Sequence, residues 1–132
     1  MSKEACFMNI NKFTQKSLQA VQDCEKIAMD YGNQEIEQEH LLYALLTQDD
    51  GLIPKMIEKM GLDTGVVTNR VEQAIAGRTK VQGGKQYVGQ DLNNVLVHAE
   101  DEAKQMGDEY VSVEHLFLAM LRYPSRVMKN LF

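Results

Sequence analysis

Three histidines, two cysteines and a pair of glutamates are the residues of this chain whose types could do chemistry. His40, His98 and His115 could ligate zinc, which needs three or four converging ligands, two of them usually close in sequence. Each histidine stands alone on its segment, so their spacing favours structural roles and no metal site is expected. Cys24 would be a nucleophile only beside a base or cation that lowers its pKa. It falls instead on an apolar helical face with Ala20, Val21 and Ala28, where a thiol packs as a small hydrophobe. Together with Cys6 it makes neither a metal spacing nor a disulfide framework, which points to a reducing, cytoplasmic setting. Gly83-Gly84-Lys85-Gln86 comes nearest to a phosphate-cradling loop, but the leading glycine spacing and the Ser/Thr are missing, and it reads as a flexible linker. No catalytic residue and no cofactor are expected in this stretch. Glu39 and Glu114, each followed by His-Leu, are harder to assign. A carboxylate in the first turn of a helix is favoured by the helix dipole alone. It can also present negative charge to a basic or backbone-rich peptide.

The elements that must position these residues are written twice. Shifting the sequence by 75 residues lays Phe13–Leu46 on Val88–Leu121 without a gap. Gln15 meets Gln90, Glu25 meets Glu100, Ala28 meets Ala103 and Gly32 meets Gly107. Glu39-His40-Leu41 meets Glu114-His115-Leu116, and apolar character is kept at Phe13/Val88, Val21/Leu96 and Ile36/Val111. Such self-similarity marks a repeated supersecondary unit. In the first copy, apolar residues recur at helical spacing from Phe13 to Tyr31. Thr14 is placed to cap this helix and Gly32 to end it. A second helix is expected over about Gln38–Thr47, and a third over Leu52–Met60 with Pro54 in its first turn. A fourth, capped by Asp63, ends near Gly77. The polar, glycine-bearing stretch 78–87 reads as a linker. The second copy repeats the first two helices, over Gly89–Met106 and from Ser112 to Leu121, and starts a third near Ser125. No strand-like alternation persists anywhere. The expected fold is all-α: an N-terminal tail (1–12), repeat 1 (13–77), a linker (78–87) and an incomplete repeat 2 (88–132), related by a pseudo-twofold axis because neither amphipathic half can bury its apolar face alone. By the same register the counterparts of the rest of helix three and all of helix four are missing, so the natural chain is expected to continue beyond Phe132.

The segments KFTQKS, GNQEIEQEHLLYALL, VEQAI and GDEYVSVEHLFLAML resemble the duplicated Clp N-terminal domain, from about Met8 to the end. The paired EHL segments carry the resemblance most specifically. The NQ before the first of them and the linker VQGG look more like ClpB-type disaggregases than the protease-partnering ClpC type. The resemblance implies a mobile module ahead of a hexameric AAA+ motor, where ATP would bind. That module captures unfolded or aggregated polypeptide and hands it to the motor; in ClpC-type relatives it docks adaptor proteins. Carried over by motif, the groove residues are Thr14 in KFT, Asp108 in GDEY and Glu114 in VEHL, with Glu39 as the first-repeat counterpart of Glu114. Their plain structural readings are an N-cap for Thr14 and a turn residue after Gly107 for Asp108. One departure stands out: the position paired with Thr14 is Gly89.

A net charge of −5 argues against nucleic acid, whose phosphates ask for clustered Lys and Arg, and against an anionic membrane surface. No apolar run approaches the roughly 20 residues that span a bilayer. Met56, Met60, Met106, Met120 and Met128 fall at core spacing on helices, and some of them would suit a plastic peptide-binding groove. A monomer is expected for this domain, with hexamer contacts left to the motor.

Overall fold

The computed structural model describes residues 10–132. Residues 1–9, with Cys6 and most of the expected tail, lie outside the described residues. After a single 3-10 turn at Ile10–Lys12, the first half runs through α1 (Gln15–Asp30), β1 (Glu35–Ile36), α2 (Gln38–Leu46), α3 (Leu52–Lys59) and α4 (Thr64–Ala76). The second half continues with β2 (Tyr87–Val88), α5 (Gln90–Gln105), α6 (Val113–Arg122) and α7 (Arg126–Leu131). Helices α1 and α5 each hold 16 residues, and their bounds differ by the same 75-residue shift that relates the sequences. The fold is all-α as expected, with one addition that period-2 patterning could not announce, since two residues make no alternation.

That addition joins the halves. β1 and β2 pair in parallel, Glu35 opposite Tyr87 and Ile36 opposite Val88. A second parallel bridge links Phe13 to Val111. Under the 75-residue shift Phe13 maps to Val88 and Ile36 to Val111, so the two bridges are the same contact made reciprocally across the pseudo-twofold axis. In each, the extended residue before the first helix of one repeat pairs with the extended residue before the second helix of the other. The backbone bonds match: Thr14 N–H donates to Val111 O at 2.9 Å, and Gly89 N–H to Ile36 O at 2.8 Å.

One continuous core runs through both halves. Leu41, Leu42 and Leu45 from α2, Ile53 and Ile57 from α3, Val71 and Ile75 from α4, and Leu116, Phe117 and Met120 from α6 are all essentially inaccessible. Each such side chain contributes roughly 1.5–3 kcal/mol by leaving water. α3 packs on α6 and α7 on α2, so each repeat lends a short helix to the other. The methionines divide: Met120 and Met128 are core and Met56 packs against it, whereas Met60 and Met106, the C-caps of α3 and α5, are half exposed.

Segment 78–87 is held along repeat 1. Val81 N–H donates to Gly32 O at 2.8 Å, Asn33 Nδ2 to Thr79 O, Gln34 Nε2 to Lys85 O, and Gln86 Nε2 to Glu25 O and Asn33 O. Its glycines serve this path: Gly83 and Gly84 take φ of 75° and 83°, a region where other residues are strained.

Candidate functional site

Thr14 sits at the junction of the repeats. As the N-cap of α1, its Oγ1 accepts from Ser17 N–H at 3.2 Å, while its own N–H is spent on the bridge to Val111. The Ser17 hydroxyl, fully buried, donates to the same Val111 oxygen at 2.8 Å.

Asp108 lies three residues before Val111, half exposed, and accepts from the ring of His115 at 2.8 Å. His115 Nδ1 accepts from Ser112 N–H at 2.8 Å, which leaves the proton on Nε2 for Asp108. His40 repeats the device: Nδ1 accepts from Glu37 N–H at 2.9 Å and Nε2–H donates to Asn33 Oδ1 at 2.9 Å. Each histidine occupies the third position of its helix and ties the helix start to the loop before it. Burial, and then Arg78, push His40 down to about 4, so the ring is neutral at ordinary pH. Burial likewise pushes the Cys24 thiol up, and its Sγ donates to Val21 O.

Lys12, Ala103, Lys104, Asp108, Glu109 and Val111, with Glu100, line an open cleft of about 240 Å³ beside this junction. Glu114, in the first turn of α6, is partly exposed and makes no ion pair or hydrogen bond among the described residues. Thr14, the N-cap of α1, is thus bonded to the bridge residue Val111, and Asp108 and Glu114 stand three residues before and after it in the chain.

Glu39 stands elsewhere. It is 1% exposed and its carboxylate takes the Arg78 guanidinium at 2.8 Å, while Arg78 also reaches Glu35 at 2.6 Å. Glu39 and Glu114 are equivalent in sequence, but one is sealed by the cation that opens the linker and the other is partly exposed.

The departure at Gly89 is resolved by Glu37. Gly89 is the N-cap of α5 and has no side chain to cap with. The Glu37 carboxylate crosses from repeat 1 and accepts from Leu92 N–H at 2.9 Å, the counterpart of the bond that Thr14 makes to Ser17. A Cβ at position 89 would fall inside that carboxyl group, 2.5 Å from its Cδ. The two junctions are thus exchanged in parts: Thr14 caps from within with the short Ser112 opposite, whereas Gly89 gives way to the long Glu37. The sequence placed Ser17 on the inner face of the first helix without its bond to Val111, and it announced neither Arg78 nor Glu37; the Thr-to-Gly and Glu-to-Ser changes at the paired positions 14/89 and 37/112 were the available signal.

Comparison with known proteins agrees with this architecture. The family model of the Clp repeat N-terminal domain matches residues 12–132. The chaperone protein ClpB of Nitratidesulfovibrio vulgaris is 42% identical over 123 residues, and that of Porphyromonas gingivalis 41% over 114. These alignments cover 89% and 86% of this chain but only 14% and 13% of those proteins, so the chain spans a small part of its relatives' length. Among solved structures, the Hsp104 N-terminal domain from Candida albicans superposes with a TM-score of 0.82 at 18% identity, covering 92% of this chain and 79% of that one. A ClpV N-domain in complex with a VipB peptide superposes at 0.76 with 23% identity, covering 93% and 78%. At these identities the structures speak for the fold alone.

Proposed function

Because the chain belongs to the Clp repeat N-terminal domain family, we propose that it recruits unfolded or aggregated polypeptide for the AAA+ motor of a longer ClpB-type chaperone. The observation that carries this reading is the junction at Val111: Thr14 is bonded to it, Glu114 stands three residues after it with its carboxylate unpaired among the described residues, and Asp108 and Val111 line an open cleft beside it with Lys12. Glu114 is a carboxylate with no partner among the described residues, and Lys12, Lys104, Asp108 and Glu109 all line the cleft. A rim of both signs around a cleft suits a ligand of changing sequence. Affinity at one domain is expected to be weak, because an unfolded ligand is ordered on binding. Several domains on one hexamer would restore capture through avidity. In this reading the domain is a cytoplasmic monomer that binds neither nucleic acid nor membrane, does no chemistry of its own and holds no cofactor; ATP belongs to the motor. The ClpV N-domain seen with a peptide supports a peptide-binding role for the fold.

Fluorescence anisotropy of a labelled, permanently unfolded protein tests the proposal. Binding that weakens severalfold in Glu114→Lys, with the folded form of the same protein ignored, supports it. Tight binding of one folded partner, with no binding of the unfolded one, would instead assign the domain to adaptor docking as in ClpC-type relatives.

A further inference from the structure

We infer that the buried junction between Glu37 and the Gly89 end of α5 is a proton-sensitive latch between the two repeats, closed while the Glu37 carboxyl is neutral and loosened when it is charged. The geometry sets this up. Glu37 is only 6% exposed, and its carboxyl fills the space over Gly89 while accepting from Leu92 N–H. Among the described residues no cation pairs with it: Arg78 is committed to Glu35 and Glu39. The groups facing it are acidic or neutral. Glu35 comes from β1, Glu39 and the neutral His40 from α2, and Asp91 from the first turn of α5. At the mirror junction the group that caps the helix, Thr14, does not titrate; the titratable pair there, Asp108 and His115, holds Ser112 at the start of α6 and not the Ser17 N–H.

Burial, with Asp91, Glu39 and Glu35 adding to it, pushes Glu37 up to about 7, against the opposing pull of the Leu92 N–H. In water the same carboxyl ionises near 4.5. The closed junction therefore holds its proton more tightly than an open one does. By linkage the closed form is favoured below about pH 4.5 and progressively loses that advantage as pH rises through 7. Opening frees the Leu92 N–H at the start of α5, next to the Gly89–Ile36 bond of the inter-repeat bridge. The latch thus links protonation of one side chain to the coupling of the repeats.

The test is an NMR titration of the 132-residue chain from pH 5 to 8.5, following backbone amides and the carboxyl carbon of Glu37. The expected result is a Glu37 midpoint near 7. The Leu92 and Gly89 amides should shift with that midpoint and lose hydrogen-exchange protection on the alkaline side, while the Ser17 amide, capped by Thr14, stays flat. In Glu37→Gln the Leu92 and Gly89 titrations should vanish. A Glu37 midpoint below 5, a flat Leu92 amide in the native chain, or a Leu92 titration that survives in Glu37→Gln would overturn the latch.

Discussion

The Glu37 carboxylate occupies the place that a side chain on Gly89 would need, and it caps the helix that Gly89 cannot cap itself. Two substitutions at paired positions thus form one compensated exchange across the repeat boundary.

Gly89→Ala should therefore expel the carboxylate and leave the α5 N-terminus uncapped, destabilising the domain by about 1–3 kcal/mol in chemical denaturation. Gly77→Ala is the control. Its φ is −82° and a Cβ there meets nothing nearer than 3.5 Å, so it should stay within about 0.5 kcal/mol. The double variant Glu37→Ser/Gly89→Thr rebuilds the Thr14/Ser112 arrangement at the second junction and should be markedly more stable than the sum of its singles.

Arg78→Ala removes the only cation paired with Glu39 among the described residues, and leaves that carboxylate, 1% exposed, buried and unpaired. A loss of about 3 kcal/mol is expected by thermal or urea unfolding. Adding Glu39→Gln should restore a large part of it, because a neutral amide has far less to lose in that pocket.

Much of this molecule was legible in advance because the repeat is written in residue types that act locally. Thr14 and Asp63 cap the helices expected of them, α6 and α7 begin just after Ser112 and Ser125, and Gly32 ends α1 with a φ of 73°. The all-α class follows from the same periodicity. Local reasoning failed where the partner is remote. Nothing near Glu39 in sequence announces Arg78, nothing near Gly89 announces Glu37, and the two-residue strands carry no pattern. Polar composition made 78–87 read as a loose linker, yet its bonds to Gly32, Asn33 and Gln34 fix its course. Val66 fits the apolar stripe of α4 by spacing but is 50% exposed, whereas Val67, Val71 and Ile75 face inward.

Ser17→Ala should cost about 1–2 kcal/mol, since it leaves buried Val111 O with one donor fewer at the Thr14 junction. Amide exchange should rise at Thr14 and Val111 and remain unchanged at Gly89, on the mirror junction.

Stability against pH carries two opposed contributions. His40, held down to about 4 from an ordinary 6.5, stabilises the fold fully above pH 6.5, and that contribution is lost as pH falls toward 4. Glu37, held up to about 7, works the other way, adding stability as pH falls from 7 to 4.5. Each is worth on the order of 3 kcal/mol at most. Urea unfolding of Glu37→Gln should accordingly show a steeper loss between pH 6.5 and 4.5 than the native chain.

Substrate capture between the repeats is tested most directly by titrating the isotope-labelled domain at constant pH with an unfolded model protein, then with its folded form, and mapping the amide shifts. Recruitment predicts shifts clustered at Thr14, Asp108, Val111 and Glu114 with the unfolded ligand alone. Shifts confined to another face, or none with the unfolded ligand at millimolar concentration, would contradict it.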